Sequence, residues 1–201
     1  MNLEALFPAI PRHVLDDLPD TIGKFNINTP LRLAHFLSQC AHESGDFVFT
    51  RENLNYSASR LEQIFPKHFN KHNSKLYARN QEAIANKVYG GRMGNTEVTD
   101  GWKFRGRGYI QLTGKANYAE LDKHVEEDLI ANPELVSSQY ALLSAGFYWN
   151  SRKINAVADK GATKEIVREV TLKVNGGTHG LEDREKRFFQ IHKLLNATPI
   201  V

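Results

Sequence analysis

A single cysteine in 201 residues excludes an internal disulfide. The fold must rest on its core, and folding is expected in a reducing cytoplasm. No stretch approaches the roughly 20 consecutive apolar residues of a membrane span, so stable membrane insertion is not expected. The segment Met1 to Pro8 has no basic start, and Glu4 and Pro8 interrupt any apolar run, so it does not read as a signal peptide. Neither sign of charge dominates: 26 Lys and Arg against 23 Asp and Glu leave +3, too mild to indicate nucleic acid as a partner. Internal repeats, low-complexity tracts and obvious linkers are also lacking.

What is present suits a globular chain, with 41% hydrophobic, 24% charged and 10% aromatic residues. This length buries a sizeable core without disulfides or a structural metal. We read one domain over 1–201 with a helical sub-lobe around 57–90, mainly α, and expect a monomer. Asn28-Thr29-Pro30 supplies capping residues and a helix-starting proline, and Leu33, Phe36, Leu37 and Cys40 follow at helical spacing. Ser59 with Glu62 reads as a capping box. Further helical patterns cover Ser74 to Val88, Lys115 to Val125, Ser138 to Asn150, Lys164 to Val174 and Leu181 to Leu195. Lys67, Lys71, Lys75 and Arg79 recur every four residues and are expected to line one helix face. That face reads as solvated, or more sharply as attracted to an anionic cell envelope.

Between Tyr89 and Gly114 the helical pattern fails. Seven glycines there predict a long shaped loop with a short hairpin. A structureless stretch of that length is usually functional or disordered, and Trp102, Phe104 and Tyr109 favour order. Trp102 and Tyr109, with Tyr56, are candidate platforms for sugar rings. Phe147, Tyr148 and Trp149 lie in a helical pattern and read as packing.

Glu43 sits three residues after Cys40 and so extends the apolar stripe of its helix, which ends at Ser44-Gly45-Asp46. Partial burial and the negative end of the helix dipole both disfavour the anion, so its pKa is expected to be raised, as a general acid requires. An exposed helix-end glutamate is the bland alternative. Glu52 follows nine residues later. In one unbroken helix the two would lie about 13.5 Å apart along the axis on opposite faces. Gly45 argues for a turn, which lets Glu52 return opposite Glu43. Glycosidases need such a pair, about 5–5.5 Å apart for retention or about 6.5–9.5 Å for inversion. By itself Glu52 also reads as a surface acid paired with Arg51.

Three motifs, Ala41-His42-Glu43-Ser44-Gly45, Phe104-Arg105-Gly106-Arg107-Gly108-Tyr109-Ile110-Gln111-Leu112-Thr113 and Val174-Asn175-Gly176-Gly177, occur in this order. In order and spacing the chain from about Leu31 to Leu195 resembles glycoside hydrolase family 19, the lysozyme-like family of plant chitinases and many phage endolysins. The resemblance implies a lysozyme-like helical fold with Glu43 as the proton donor. It implies Glu52 as the base acting on a water that Thr113 helps hold. It places Gln111, Asn175 and His42 at positions that contact sugar or support the site, and it implies a C-terminal arginine near the acids. Arg187 is the expected match, with Arg184 the alternative. A single cysteine, Thr113 in place of serine and a short interval between the acids bring the chain closer to the endolysin branch. The implied substrate is then the glycan strand of peptidoglycan. An endolysin would wait in the cytoplasm until a separate membrane-permeabilising protein, a holin, releases it to the periplasmic cell wall.

Other chemistries fit less well. The Gly-Arg-Gly segment lacks the strand, helix and Gly-Lys-Ser/Thr of a phosphate loop, and its glycines suit close approach of backbone to a sugar chain. Cys40 and His42 are about 200° apart on a helix and cannot pair as nucleophile and base, and Cys40 reads as a core residue. Asp46 stands where a zinc protease would need its second histidine, so no metal or other cofactor is expected. A chitinase, a non-catalytic glycan-binding module and a peptide-cleaving amidase remain as alternative functions.

Overall fold

The computed structural model describes residues 3–197. Among them are eleven α-helices: α1 Arg12–Phe25, α2 Pro30–Glu43, α3 Ala58–Ile64, α4 Ser74–Tyr77, α5 Gln81–Tyr89, α6 Asp100–Lys103, α7 Lys115–Asp122, α8 Ala141–Ser151, α9 Asn155–Ala158, α10 Lys164–Asn175 and α11 Leu181–Asn196. The fold is mainly α, as expected. The described residues form no sheet, only isolated antiparallel bridges of Arg107 with Arg51 and Leu112. None of their helices is long and apolar enough to cross a membrane. The chain divides into two compact units, one of residues 3–50, 108–110 and 138–197, the other of 51–107 and 111–137.

In the first unit α2 is the central helix. Thr29 Oγ1 accepts the Arg32 N–H at 3.2 Å and Pro30 opens the first turn, the start the sequence indicated. From Leu33 to Ala41 every residue is buried, not only the apolar stripe. A helix covered on all sides must satisfy its polar side chains internally. Ser38 donates to the His35 carbonyl at 2.8 Å, and Gln39 Nε2 donates to Thr171 Oγ1 at 3.2 Å. His35 Nε2 meets the Gly161 carbonyl at 3.0 Å, and its ring stacks on Phe188 at 4.1 Å. Cys40 is fully buried, as a core residue should be, and burial pushes its thiol well up. Helix α11 packs along α2, α1 against α8, and α10 against α9 and α11.

Pro19 lies inside α1 and obscures its pattern in the sequence. Val14, Leu15, Leu18, Thr21 and Phe25 nevertheless bury one face, which offsets the lost hydrogen bond.

The imidazole of His35 gives this unit a specific acid sensitivity. Burial, and more weakly the charge of His192, pull its pKa to about 4, against the opposing bond to Gly161. Unfolding returns it to about 6.5, so the unfolded chain binds the proton first. The contribution is complete above pH 6.5 and is lost between about 6.5 and 4. It amounts to about 3 kcal/mol over that interval. Denaturant titrations across this range should show the fall, and His35→Phe should flatten it.

The second unit closes around Leu54, Leu61, Phe69, Ile84, Ala85 and Val88, with Tyr56, Phe65, Tyr77, Tyr89 and Trp102 packed on their edge. Its first helix starts two residues earlier than the sequence suggested. Ser57 is the cap, accepting the Arg60 N–H at 3.3 Å, while Glu62 instead accepts from the Ser74 hydroxyl at 2.6 Å. The long pattern from Ser74 is split into α4 and α5, because Arg79 adopts a left-handed φ of 67° and donates its N–H to Tyr56 O at 2.9 Å. The expected helical stripe of Lys67, Lys71, Lys75 and Arg79 does not form. Pro66 follows the end of α3, and residues 66–73 are turns and irregular backbone.

Candidate active site

Glu43 is the last residue of α2, in the first unit. The chain leaves the helix through three consecutive residues of positive φ, Gly45 at 57°, Asp46 at 60° and Phe47 at 65°. Such a conformation is costly for a bulky residue and is held only where its surroundings fix it. Ser44 Oγ accepts the Phe47 N–H at 2.8 Å, and the buried Phe47 ring meets the edge of Tyr109 at 5.1 Å. These contacts stop the helix at the acid.

The arginine that reaches this acid is Arg184, not Arg187. Its side chain is fully buried and donates to Glu43 Oε1 and to Gln39 Oε1, both at 2.5 Å, and to the His179 carbonyl at 3.1 Å. Arg187 lies one turn further along α11 and bonds to Asp46 and Asp183 instead. This guanidinium reaches Glu43 from 141 residues away in the sequence.

His42 adjoins the acid in sequence and is held by Asp183, with Nδ1 and Oδ2 2.7 Å apart. A Cβ at Gly180 would lie 2.1 Å from its ring, so only glycine lets the backbone pass so close. Asp183 therefore holds both His42 and Arg187. Asn175 ends α10 with its side chain exposed, followed by the left-handed cap Gly176.

Glu52 belongs to the second unit. Its backbone N–H donates to the Gly106 carbonyl at 3.0 Å, and the Gly106 N–H returns a bond to Oε2 at 3.1 Å. The Tyr89 hydroxyl donates to Oε1. Both carboxylate oxygens therefore accept hydrogen bonds. Burial, and then the charge and hydrogen bond of Glu52, push the Tyr89 phenol far up, so it remains a donor. A Cβ on Gly106 would stand 2.7 Å from Gln111 Oε1 and 3.2 Å from Glu52 Oε2. A side chain at this position would therefore crowd the Glu52 carboxylate and the Gln111 amide. Thr113 is half-buried and donates to the Gln111 carbonyl at 2.9 Å, and Gln111 itself has a φ of 55°.

Arg51 does not pair with Glu52. It donates to Glu134 at 3.0 Å, and Arg105 and the buried Arg107 donate to the same carboxylate. Burial pushes Glu134 up, but the bonds and charges of Arg107, with Arg51 and Arg105, prevail and hold it at about 2. This ionic knot ties together residues 51 and 105–107, which frame Glu52.

The aromatic candidates separate. Tyr109 is 3% exposed, with its hydroxyl 3.3 Å from His13 Nε2, so it is a core residue and cannot be a sugar platform. Burial pushes its phenol up to about 12. Tyr56 is half-buried against Phe65 at 5.8 Å. Trp102 is half-buried, with the Arg105 guanidinium 3.7 Å above its ring. Trp149 is buried and Phe147 packs against Phe25, in line with the packing role. Sequence reasoning missed Arg184's contact, Tyr89, Gly106 and Asp183. Only Tyr89 carried a signal, as the aromatic residue that ends a helical pattern just before Gly90-Gly91. Among the described residues no His, Cys, Asp and Glu group could hold a metal ion.

Residues 66–166 match the sequence model of a family described as chitinase class I. A Haemophilus influenzae protein described as glycosyl hydrolase family 19 domain-containing is 37% identical over 191 residues, 94% of this chain and 92% of its own length. An Arabidopsis thaliana endochitinase is 25% identical over 175 residues, 83% of this chain but 49% of the relative. Among solved structures, a bacterial family 19 chitinase superposes with a TM-score of 0.61 at 21% identity, covering 98% of this chain and 94% of that one. Chitinase C from Streptomyces griseus gives 0.59 at 22%, covering 98% and 75%. These two likenesses concern the fold.

Proposed function

This chain belongs to glycoside hydrolase family 19, and from that premise we propose that it cleaves β-1,4 bonds in the glycan strands of peptidoglycan with inversion. Glu43 is the general acid and passes a proton to the leaving glycosidic oxygen. Glu52 is the general base and takes a proton from the attacking water, which the Thr113 hydroxyl helps hold. Arg184 fixes Oε1 of Glu43, so the transferred proton is carried by Oε2. The observation that carries this reading is the different bonding of the two carboxylates. One is gripped by a single buried guanidinium at a helix end, and the other accepts from a phenol and a backbone amide.

The preference for peptidoglycan rests on residue features that set the chain apart from plant chitinases: its lone Cys40, Thr113 and the nine-residue step from Glu43 to Glu52. Chitin is the second reading, favoured by the name of the Arabidopsis thaliana relative, an endochitinase. Paired turnover assays on chitin oligomers and purified murein separate the two. Mass analysis of murein digests should find new reducing ends. New amino groups would instead indicate an amidase, and binding without either product a non-catalytic module. In the same proposal the enzyme is made in the cytoplasm, acts as a monomer and reaches the wall after a holin opens the membrane.

The phenol of Tyr89 gives a graded test. Tyr89→Phe removes one donor to Glu52 and keeps the ring in its apolar cluster. Turnover should fall about tenfold, matching a hydrogen bond of roughly 1.4 kcal/mol, with little change in melting temperature. Unchanged turnover would show that this bond does not position the base.

A further inference from the structure

Beside the tyrosine that holds Glu52 lies a cavity of about 330 Å³ with no role in the chemistry described so far. It forms between the end of α3 and the end of α5. Phe65, Pro66 and Val88 supply apolar lining, and Lys67, His68 and Arg92 supply the nitrogen-bearing groups. No carboxylate lines it. Lys67 and Arg92 make no ion pair among the described residues, unlike Arg105 and Arg107, which share Glu134. Burial first, and then the charges of Arg92, Lys87 and Lys67, lower the pKa of His68, with no acid opposing them. The lining is therefore positive, partly apolar and large enough for a small substituent.

We propose that this cavity receives the carboxylate-bearing substituent of muramic acid, and so makes the enzyme prefer peptidoglycan strands to chitin. The inference rests on the glycan-strand reading above and deepens it. N-acetylglucosamine polymers carry no carboxylate, so they offer nothing to Lys67 and Arg92. The lactyl group of muramic acid and the peptide stem attached to it both supply methyl groups for Phe65, Pro66 and Val88. The lactyl group supplies a carboxylate when the stem is removed, and the stem supplies its own when present. Tyr89 contributes to this lining and also bonds to Glu52, which puts the substituent's sugar next to the base.

Equilibrium binding tests this without relying on turnover. The probes are disaccharide-peptide fragments of murein, the same glycan after removal of its stems, and neutral chitotetraose. Against the wild type, the double variant Lys67→Gln with Arg92→Gln should bind the anionic probes at least about tenfold more weakly and chitotetraose equally well. Lys67→Glu, remote from the Glu52 bond, should do the same and keeps the test valid if Arg92 disturbs Tyr89. Loss confined to the stem-bearing probe assigns the site to stem carboxylates, and loss on stripped glycan assigns it to the lactyl group. Equal affinities in all proteins, or an equal loss on chitotetraose, would overturn the proposal. Wild-type murein turnover is scored separately, so failure of the glycan-strand reading is distinguishable from failure of this site.

Discussion

Glu43→Gln is expected to leave the protein folded and to lower turnover on glycan strands by about 10²–10⁴-fold, the usual contribution of a positioned general acid. Glutamine keeps a carbonyl oxygen for the Arg184 bond, so the buried guanidinium retains an acceptor. What it lacks is a proton to give. Glu52→Gln should lose activity to a similar extent for the opposite reason, since an amide cannot take a proton from water. Rates on murein, with circular dichroism melts as the fold control, measure both. A folded Glu43→Gln protein with normal rates would remove Glu43 from the chemistry.

The second large effect concerns stability. Arg184→Leu deletes a fully buried guanidinium that binds Gln39, Glu43 and the His179 carbonyl, leaving the buried Gln39 and the Glu43 carboxylate without their partner. Breaking a buried ionic contact in this way costs about 3–5 kcal/mol. In a chain of this size that lowers the melting temperature by roughly 10 °C. Arg187→Ala removes partners that are largely exposed, since Asp46 retains 64% of its side-chain exposure, and should cost under about 1 kcal/mol. Calorimetry of the two variants, three residues apart, should therefore differ severalfold. Equal losses would mean that Arg184 is not the buried anchor of α2 and α11.

Local signals made much of the fold legible. Thr29-Pro30 announced α2, and the periodicity of Lys164 to Val174 and of Leu181 to Leu195 placed α10 and α11 within a residue or two. Two local signals misled. Pro19 hid α1, which tolerates it because its apolar face is buried, while the regular basic spacing from Lys67 to Arg79 suggested a helix that the turns over residues 66–73 prevent.

The candidate site was legible by residue type but not by contact. Glu43, Gln111 and Thr113 stand in recognisable motifs, and Glu52 follows Glu43 by nine residues. Their partners Arg184, Tyr89 and Gly106 come from 37 to 141 residues away, a separation that no window of sequence spans. Tyr109 shows the converse error. Its glycine-rich neighbourhood suggested an exposed ring, yet residues 108–110 belong to the first unit, where the ring packs against Phe47.

Division of labour between one acid and one base makes the stereochemistry of the cut bond decisive. Proton NMR of an oligosaccharide during the first minutes of cleavage, before mutarotation, reads which anomer is released. Attack by a water deprotonated at Glu52 should yield the α-anomer first from a β-linked strand. Initial release of the β-anomer would mean a double displacement, through a carboxylate or the substrate's own acetamido group, and would contradict direct attack by a water deprotonated at Glu52.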